Sequence, residues 1–215
     1  MTRRVLIFAN GALPNLEWAR RLLQPEDTLI GADGGTHHLL AVGRFPHEVV
    51  GDLDSLSPAL LDELQRQGTR ISRYPREKDE TDLELALRHA LAYQPEVIRV
   101  LGALGQRLDQ TLANLALLAA PWLEGVDVRL DDGVEEVLMV QSEAVLSGRA
   151  GETVSLIPWR MPVEGISTEG LRWPLREETL YPERTRGISN EMTGAIARIR
   201  IRAGHLLVIH RKEVS

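Results

Sequence analysis

Apolar residues fall in short runs, and these runs alternate with stretches of helical spacing. Residues 4–10 (RVLIFAN) form a β-rich apolar run that predicts a buried strand. Pro14 then opens a segment in which Leu16, Ala19, Leu22 and Leu23 recur at helical spacing. Further strands are predicted at 28–32, 47–51, 70–74, 97–101 and 127–130. Between them lie helical patterns carrying Leu39, Leu40 and Val42, then Leu60, Leu61 and Leu64, then Leu83, Leu87, Ala90 and Leu91, then a stretch at 110–120. Pro58 opens the second of these and Gly68 closes it. Strands alternating with helices of this length predict βαβ units: an α/β, Rossmann-like, mostly parallel sheet with flanking helices.

From about Val134 the helical period disappears. Short runs (EEVLMVQ, EAVLSG, TVSLIPW) are separated by Gly, Ser, Pro and acidic turns. Residues 196–202 alternate, with Ala197, Ile199 and Ile201 on one side and Arg198, Arg200 and Arg202 on the other. Ala203-Gly204 turns the chain, and 205–210 (HLLVIH) is expected to pair back on that strand. The Arg row reads as a solvated face or a partner contact. The pattern therefore predicts two domains, 1–133 of α/β type and 134–215 of all-β type.

Composition narrows the class. A chain of 215 residues with 43% hydrophobic content has material for a core. A net charge of −6 and a pI near 5.6 argue against a nucleic-acid partner, which calls for a basic face. The absence of cysteine rules out disulfide and thiolate chemistry. No signal peptide or membrane-spanning window stands out, so a cytoplasmic protein without membrane contact is expected. The six histidines are scattered, and the adjacent His37 and His38 diverge on a helix, so no histidine metal site is expected.

The candidate chemistry lies in the loops that follow the strands. Asp33 follows the second strand, Asp52 and Asp54 the third, Asp79 and Asp82 the fourth, and Asp109 the fifth. In a parallel sheet these loops share the ligand-binding edge, so the carboxylates converge on one cleft. Helix capping accounts for part of Asp79 and Asp109. Paired carboxylates suit Mg²⁺, a hard cation that takes oxygen ligands and bridges to phosphates. Asp33-Gly34-Gly35 reads either as a plain strand-to-helix turn or as a phosphate cradle at a helix start. Lys78 reads either as a polyphosphate partner or as a counter-charge to the carboxylates, and Arg107 as a cation for a transferring phosphate.

Taken together, GADGGTHHLL, VVGDLDSL, KDETDLELAL and LGALGQRLDQTLANLALL, followed by GLRWPL and GISNEM, resemble the thiamine pyrophosphokinase family over nearly the whole chain. The resemblance implies a nucleotide-binding α/β domain, a β-sandwich domain for thiamine binding and dimerisation, and a homodimer. It implies Mg²⁺-dependent transfer of a pyrophosphoryl group from ATP to the hydroxyl of thiamine, giving thiamine diphosphate and AMP. By motif match, Asp52, Asp54 and Asp82 hold the metal and organise the attack. Lys78, Asp79 and Thr81 sit beside the phosphates, while Asp33, Gly34, Gly105, Arg107 and Asp109 help to bind ATP. Trp173 matches the aromatic that covers thiamine from the partner subunit, and Ser189 and Asn190 match its polar contacts. Gln106 and Gln110 stand where the family usually has Gly and His, so the resemblance carries no contact to those two positions. Two rival readings are a DxD phosphohydrolase with Asp52 as nucleophile, and a non-catalytic sensor. The phosphohydrolase leaves the DGG and RLDQ loops unexplained, and the sensor predicts a lost aspartate that is not lost here.

Overall fold

The first apolar run folds as strand β1, Arg4–Phe8, and every residue after Arg4 is buried. The computed structural model describes residues 3–105 and 107–213, and the chain divides into two compact units, Met1–Asp132 and Gly133–Ser215. In the first unit β2 (Thr28–Ala32), β3 (Glu48–Gly51), β4 (Arg70–Arg73), β5 (Val97–Leu101) and β6 (Asp127–Asp131) join β1 in the order β6-β5-β1-β2-β3-β4. Every pairing among the six is parallel. Five helices connect or follow the strands: α1 (Leu16–Leu22), α2 (Thr36–Ala41), α3 (Pro58–Arg66), α4 (Asp82–Leu91) and α5 (Leu108–Leu117). The central strands are covered on both faces and so read as unbroken apolar runs. The outermost strand, β4, is RISR, with both arginines exposed.

Local chemistry sets the helix starts. The Asn15 side chain accepts from Trp18 N, that of Ser57 from Leu60 N, and that of Thr81 from Glu84 N. Asp79 and Asp109 are therefore not the caps the sequence suggests. Thr81 takes the α4 position, and α5 starts without a side-chain cap, leaving Asp109 in its first turn.

The second unit is antiparallel. Strands β7 (Glu135–Val140), β9 (Thr153–Pro158), β12 (Asn190–Glu191) and β14 (Leu206–Arg211) pair in the order β12-β9-β14-β7. Strands β8 (Glu143–Ser147), β10 (Val163–Glu169), β11 (Glu178–Leu180) and β13 (Ile196–Arg200) form a second sheet in the order β11-β10-β13-β8. Leu138, Val154, Leu156 and Val208 from the first group pack with Leu146, Ile166, Ala197 and Ile199 from the second in one core, a β-sandwich.

One predicted pairing does not form. β14 pairs with β7 and β9, whereas β13 pairs with β8 and β10, so these consecutive strands lie in different sheets. The reason lies in their burial. β13 alternates buried and exposed residues, whereas Leu206, Leu207 and Val208 of β14 are all buried and need partners on both sides. The Arg row is solvated and balanced by acids: Arg200 lies 2.7 Å from Glu143, and Arg202 lies 3.0 Å from Glu164. Among the described residues no helix is long and apolar enough to cross a membrane.

Candidate active site

The strand order of the first unit reverses at β1. The chain runs outward through β2, β3 and β4, then returns to place β5 on the other side of β1. Loops leaving the C-terminal ends of β1 and β5 part at such a switch point and open a crevice. A cavity of about 410 Å³ lies there. It is lined by Asn10 and Gly11 after β1, Asp33 after β2, Arg76, Lys78, Glu80, Thr81 and Asp82 after β4, and Leu104, Gly105 and Arg107 after β5, with Gln110 and Asn114 from α5. Two glycines let the β1 and β5 loops touch: Gly11 N donates to Gly102 O at 2.8 Å, and a Cβ on Gly11 would stand 2.3 Å from that oxygen. Asn114 ties α5 to the same loop by donating to Ala103 O at 2.8 Å.

The Asp33-Gly34-Gly35 turn is buried against β1. A Cβ on Gly35 would meet Phe8 O at 1.9 Å, and one on Gly34 would meet the Asn10 side chain at 2.4 Å. Gly35 thus serves close packing on the β1 backbone and Gly34 makes room for the Asn10 side chain, while Asp33 lines the cavity.

Asp33, Asp52 and Asp82 each place a carboxylate oxygen within 4.8 Å of the others. Three elements deliver them: the turn after β2, the end of β3 and the first residue of α4. Asp33 stands at φ 45°, and Gly51, just before Asp52, has φ 145°. A Cβ on Gly51 would lie 2.9 Å from Asp82 Oδ1, so a glycine is what lets α4 approach the β3 end. Ser55 Oγ donates to Asp33 Oδ2 at 2.5 Å, while Asp33 Oδ1 is buried without a hydrogen-bond partner. Lys78 Nζ lies 3.0 Å from Asp82 and 3.8 Å from Asp52. Burial pushes the Asp82 carboxyl up, and Asp33 and Asp52 add to that push against the pull of Lys78. Three carboxylates face one ammonium, and one buried carboxylate oxygen has no hydrogen-bond partner. That donor set, all oxygen, fits a hard divalent cation.

Asp54 stands apart from the trio. Leu53, at φ 64°, turns the chain, and the Asp54 side chain is exposed, with Arg76 Nε 3.9 Å from its Oδ2. Asp79 is exposed and outside the cavity lining, whereas Lys78 and Thr81 line it. Arg107 holds Asp109 through two hydrogen bonds, at 2.6 and 3.2 Å, which lower the Asp109 carboxyl. Gln110 lines the cavity, and Gln106 lies outside the described residues. The sequence reading missed Arg76 and Asn10. Arg76 had a visible signal: Arg76, Lys78 and Glu80 are alternate residues and all three face the cavity.

In the second unit Trp173 is exposed, in the loop after β10, with the Arg172 guanidinium 5.0 Å from its ring centre. Ser189 is exposed at φ 59°, and its N donates to Ser155 Oγ at 3.1 Å. Asn190 is buried.

Comparison with known proteins meets this geometry. Residues 19–130 match the model of the thiamin pyrophosphokinase catalytic domain, and residues 139–206 match that of its vitamin B1 binding domain. The chain belongs to the thiamin pyrophosphokinase family. The thiamine pyrophosphokinase of Bacillus subtilis is 31% identical over 187 residues, covering 86% of this chain and 87% of its own. Thiamine pyrophosphokinase 1 of Arabidopsis thaliana is 28% identical over 81% of this chain and 73% of its own. The crystal structure of the Bacillus subtilis enzyme superimposes with a TM-score of 0.86 at 27% identity, covering 99% of this chain and all (100%) of that one. A family member from Enterococcus faecalis gives 0.82 at 29% identity, again over 99% and 100% of the two chains. Two of the three clustered carboxylates, Asp33 and Asp82, line the cavity.

Proposed function

We propose that this chain binds Mg²⁺ and ATP in the switch-point cavity and moves the terminal pyrophosphoryl group to the hydroxyl of thiamine. The carboxylate trio carries the proposal. Asp33, Asp52 and Asp82 are the residues to hold the ion, with Asp54 joining from the rim. Mg²⁺ supplies neutralisation of the polyphosphate charge. Lys78, Thr81 and Arg107 position the phosphates, and Asp79, Asp109 and Gly34 support the loops that present them. The thiamine hydroxyl oxygen forms a bond to the β-phosphorus while the bond from that phosphorus to the α-bridging oxygen breaks. AMP leaves with the bridging oxygen, and the hydroxyl proton passes to a carboxylate of the cluster. Such a transfer asks the protein for positioning and charge, which these side chains supply. Trp173 offers an aromatic face to the cationic thiazolium, with Ser189 next to Asn190, whose side chain bonds the Trp173 backbone. We further propose a cytoplasmic location, in line with the cysteine-free composition, and a homodimer, which the resemblance to the family implies.

Product analysis tests the proposal. Incubation with ATP, Mg²⁺ and thiamine should give AMP and thiamine diphosphate in equal amounts, and neither without thiamine. ADP with thiamine monophosphate would mean that a single phosphoryl group is moved. Phosphate release indifferent to thiamine would replace the transferase by a hydrolase. Light scattering at two protein concentrations checks the dimer.

A further inference from the structure

Trp173 presents a problem of order. Its side chain is 53% exposed, so packing does little to fix it. What fixes it is its own peptide. Asn190 Oδ1 accepts from Trp173 N at 3.1 Å, and Asn190 Nδ2 donates to Trp173 O at 2.7 Å. The same Oδ1 accepts from Glu191 N at 2.9 Å. Asn190 is only 6% exposed and belongs to β12, which is paired with β9. The neighbouring residues lock the same strip. Arg172 N donates to Glu191 O at 2.8 Å, the Arg172 guanidinium lies 2.8 Å from the Glu191 carboxylate, and Leu171 bridges to Met192.

An asparagine amide has one carbonyl oxygen with two lone pairs, and two N–H groups. Here both lone pairs and one N–H are committed to backbone, so the oxygen has nothing left to accept from a ligand amine. The family resemblance makes Asn190 a polar contact to thiamine; the geometry points elsewhere. We propose that Asn190 is a positioning residue, acting on thiamine only through Trp173 by clamping that residue's peptide. The proposal rests on the reading that Trp173 lies against thiamine. The clamp needs an amide. Aspartate would set a second oxygen against Trp173 O, and alanine would leave both peptide groups unpaired.

The test combines kinetics with a signal from Trp173 itself. The full chain is labelled with 5-fluorotryptophan, and Trp173→Ala identifies the Trp173 resonance by its loss. Asn190→Asp, close in shape to the native side chain, should shift or broaden that resonance and spare those of Trp18, Trp122 and Trp159. An unmoved Trp173 resonance overturns the clamp whatever the kinetics show. Asn190→Asp and Asn190→Ala should each raise the thiamine KM about tenfold and leave the ATP KM within about twofold. Adding Asn190→Ala to Trp173→Ala should change the thiamine KM no further. Multiplication of the two effects would mean that Asn190 touches thiamine directly, and the proposal fails. If Trp173→Ala alone leaves the thiamine KM unchanged, the placement of thiamine fails, while the resonance still decides the clamp.

Discussion

Asp33 and Leu53 sit at φ 45° and 64°, in a region that costs a non-glycine residue about 1 kcal/mol or more. Asp33 belongs to the carboxylate trio and Leu53 directly follows Asp52, so the backbone strain and the clustered carboxylates fall in the same place. That pattern belongs to a site kept for an occupant. Asp82→Asn should therefore separate stability from function. Asp82 has its carboxyl raised, so its contribution to stability is present at low pH and lost as pH rises through the folded value. The amide never ionises, so in metal-free protein the variant should melt higher at neutral pH. The advantage should vanish as pH falls below the ordinary aspartate value, about 3.9. Turnover should drop by about 100-fold or more as a metal ligand is lost, and added Mg²⁺ should stabilise the native chain more than the variant. Thermal melts with and without Mg²⁺, beside kcat/KM, check this. At this scale the sequence placed Asp33, Asp52 and Asp82 at one edge together with three other aspartates, because ends of parallel strands share it, but it named Asp54 and not Asp33 beside Asp52 and Asp82 as a metal ligand. The departure of Asp54 was not legible, because nothing in leucine announces a positive φ at Leu53. Nor was the Asn190 clamp, whose partner lies 17 residues away and depends on strand register.

Among the elements, α4 shows how a site can be held from its far end. Glu48 opens β3 with its side chain fully buried (0% exposed), yet it is ringed by donors: Ser72 at 2.6 Å, Arg70 at 2.7 Å, His89 at 2.7 Å and Tyr93 at 3.1 Å. His89 also meets Tyr74 at 2.7 Å, and Tyr74 N donates to Gly51 O at 2.8 Å. His89 lies near the end of α4, whose first residue is Asp82. The network thus sets the helix that delivers one carboxylate against the strand that delivers another. Burial alone would raise the Glu48 carboxyl, but hydrogen bonds from Ser72 and His89 outweigh it and hold the group low. The sign follows. The stability is present above the ordinary glutamate value, about 4.3, and is lost as pH falls through the lower folded value. Glu48→Ala removes the buried acceptor that four donors share and should cost about 3 kcal/mol, lowering Tm by about 6–12 °C at neutral pH. The deficit should shrink in acid, where the native glutamate is also protonated. The strands and helices themselves were readable from period and punctuation. The network was not, since a single glutamate ahead of VVG gives no sign of being buried. The β13–β14 pairing was misread for a related reason: adjacency and alternation predict a hairpin, but only the burial of Leu206 to Val208 on both faces shows that β14 must sit between β7 and β9.

At the scale of the whole molecule, the residues proposed for ATP all lie in Met1–Asp132, and those proposed for thiamine all lie in Gly133–Ser215. The two binding steps should then answer to separate substitutions. Arg107 is exposed and its guanidinium pairs with the exposed Asp109, so Arg107→Ala removes the proposed phosphate partner with little effect on folding. It should raise the ATP KM about tenfold, the size of one charge-assisted hydrogen bond, and leave the thiamine KM within about twofold. Trp173→Ala should do the reverse, because the residue is exposed and its loss should spare the fold. If the two substitutions act on independent steps, their free-energy effects on kcat/KM add to within about 0.5 kcal/mol in the double variant. A larger coupling would show that loss of one substrate's contact disorders the site of the other. An ATP KM that moves with Trp173→Ala alone would place the aromatic in the nucleotide site and reverse the division of labour between the two units. Initial-rate measurements varying each substrate against a saturating level of the other distinguish these outcomes. The single and double variants belong in one series, because only the comparison separates additive binding losses from a shared structural defect.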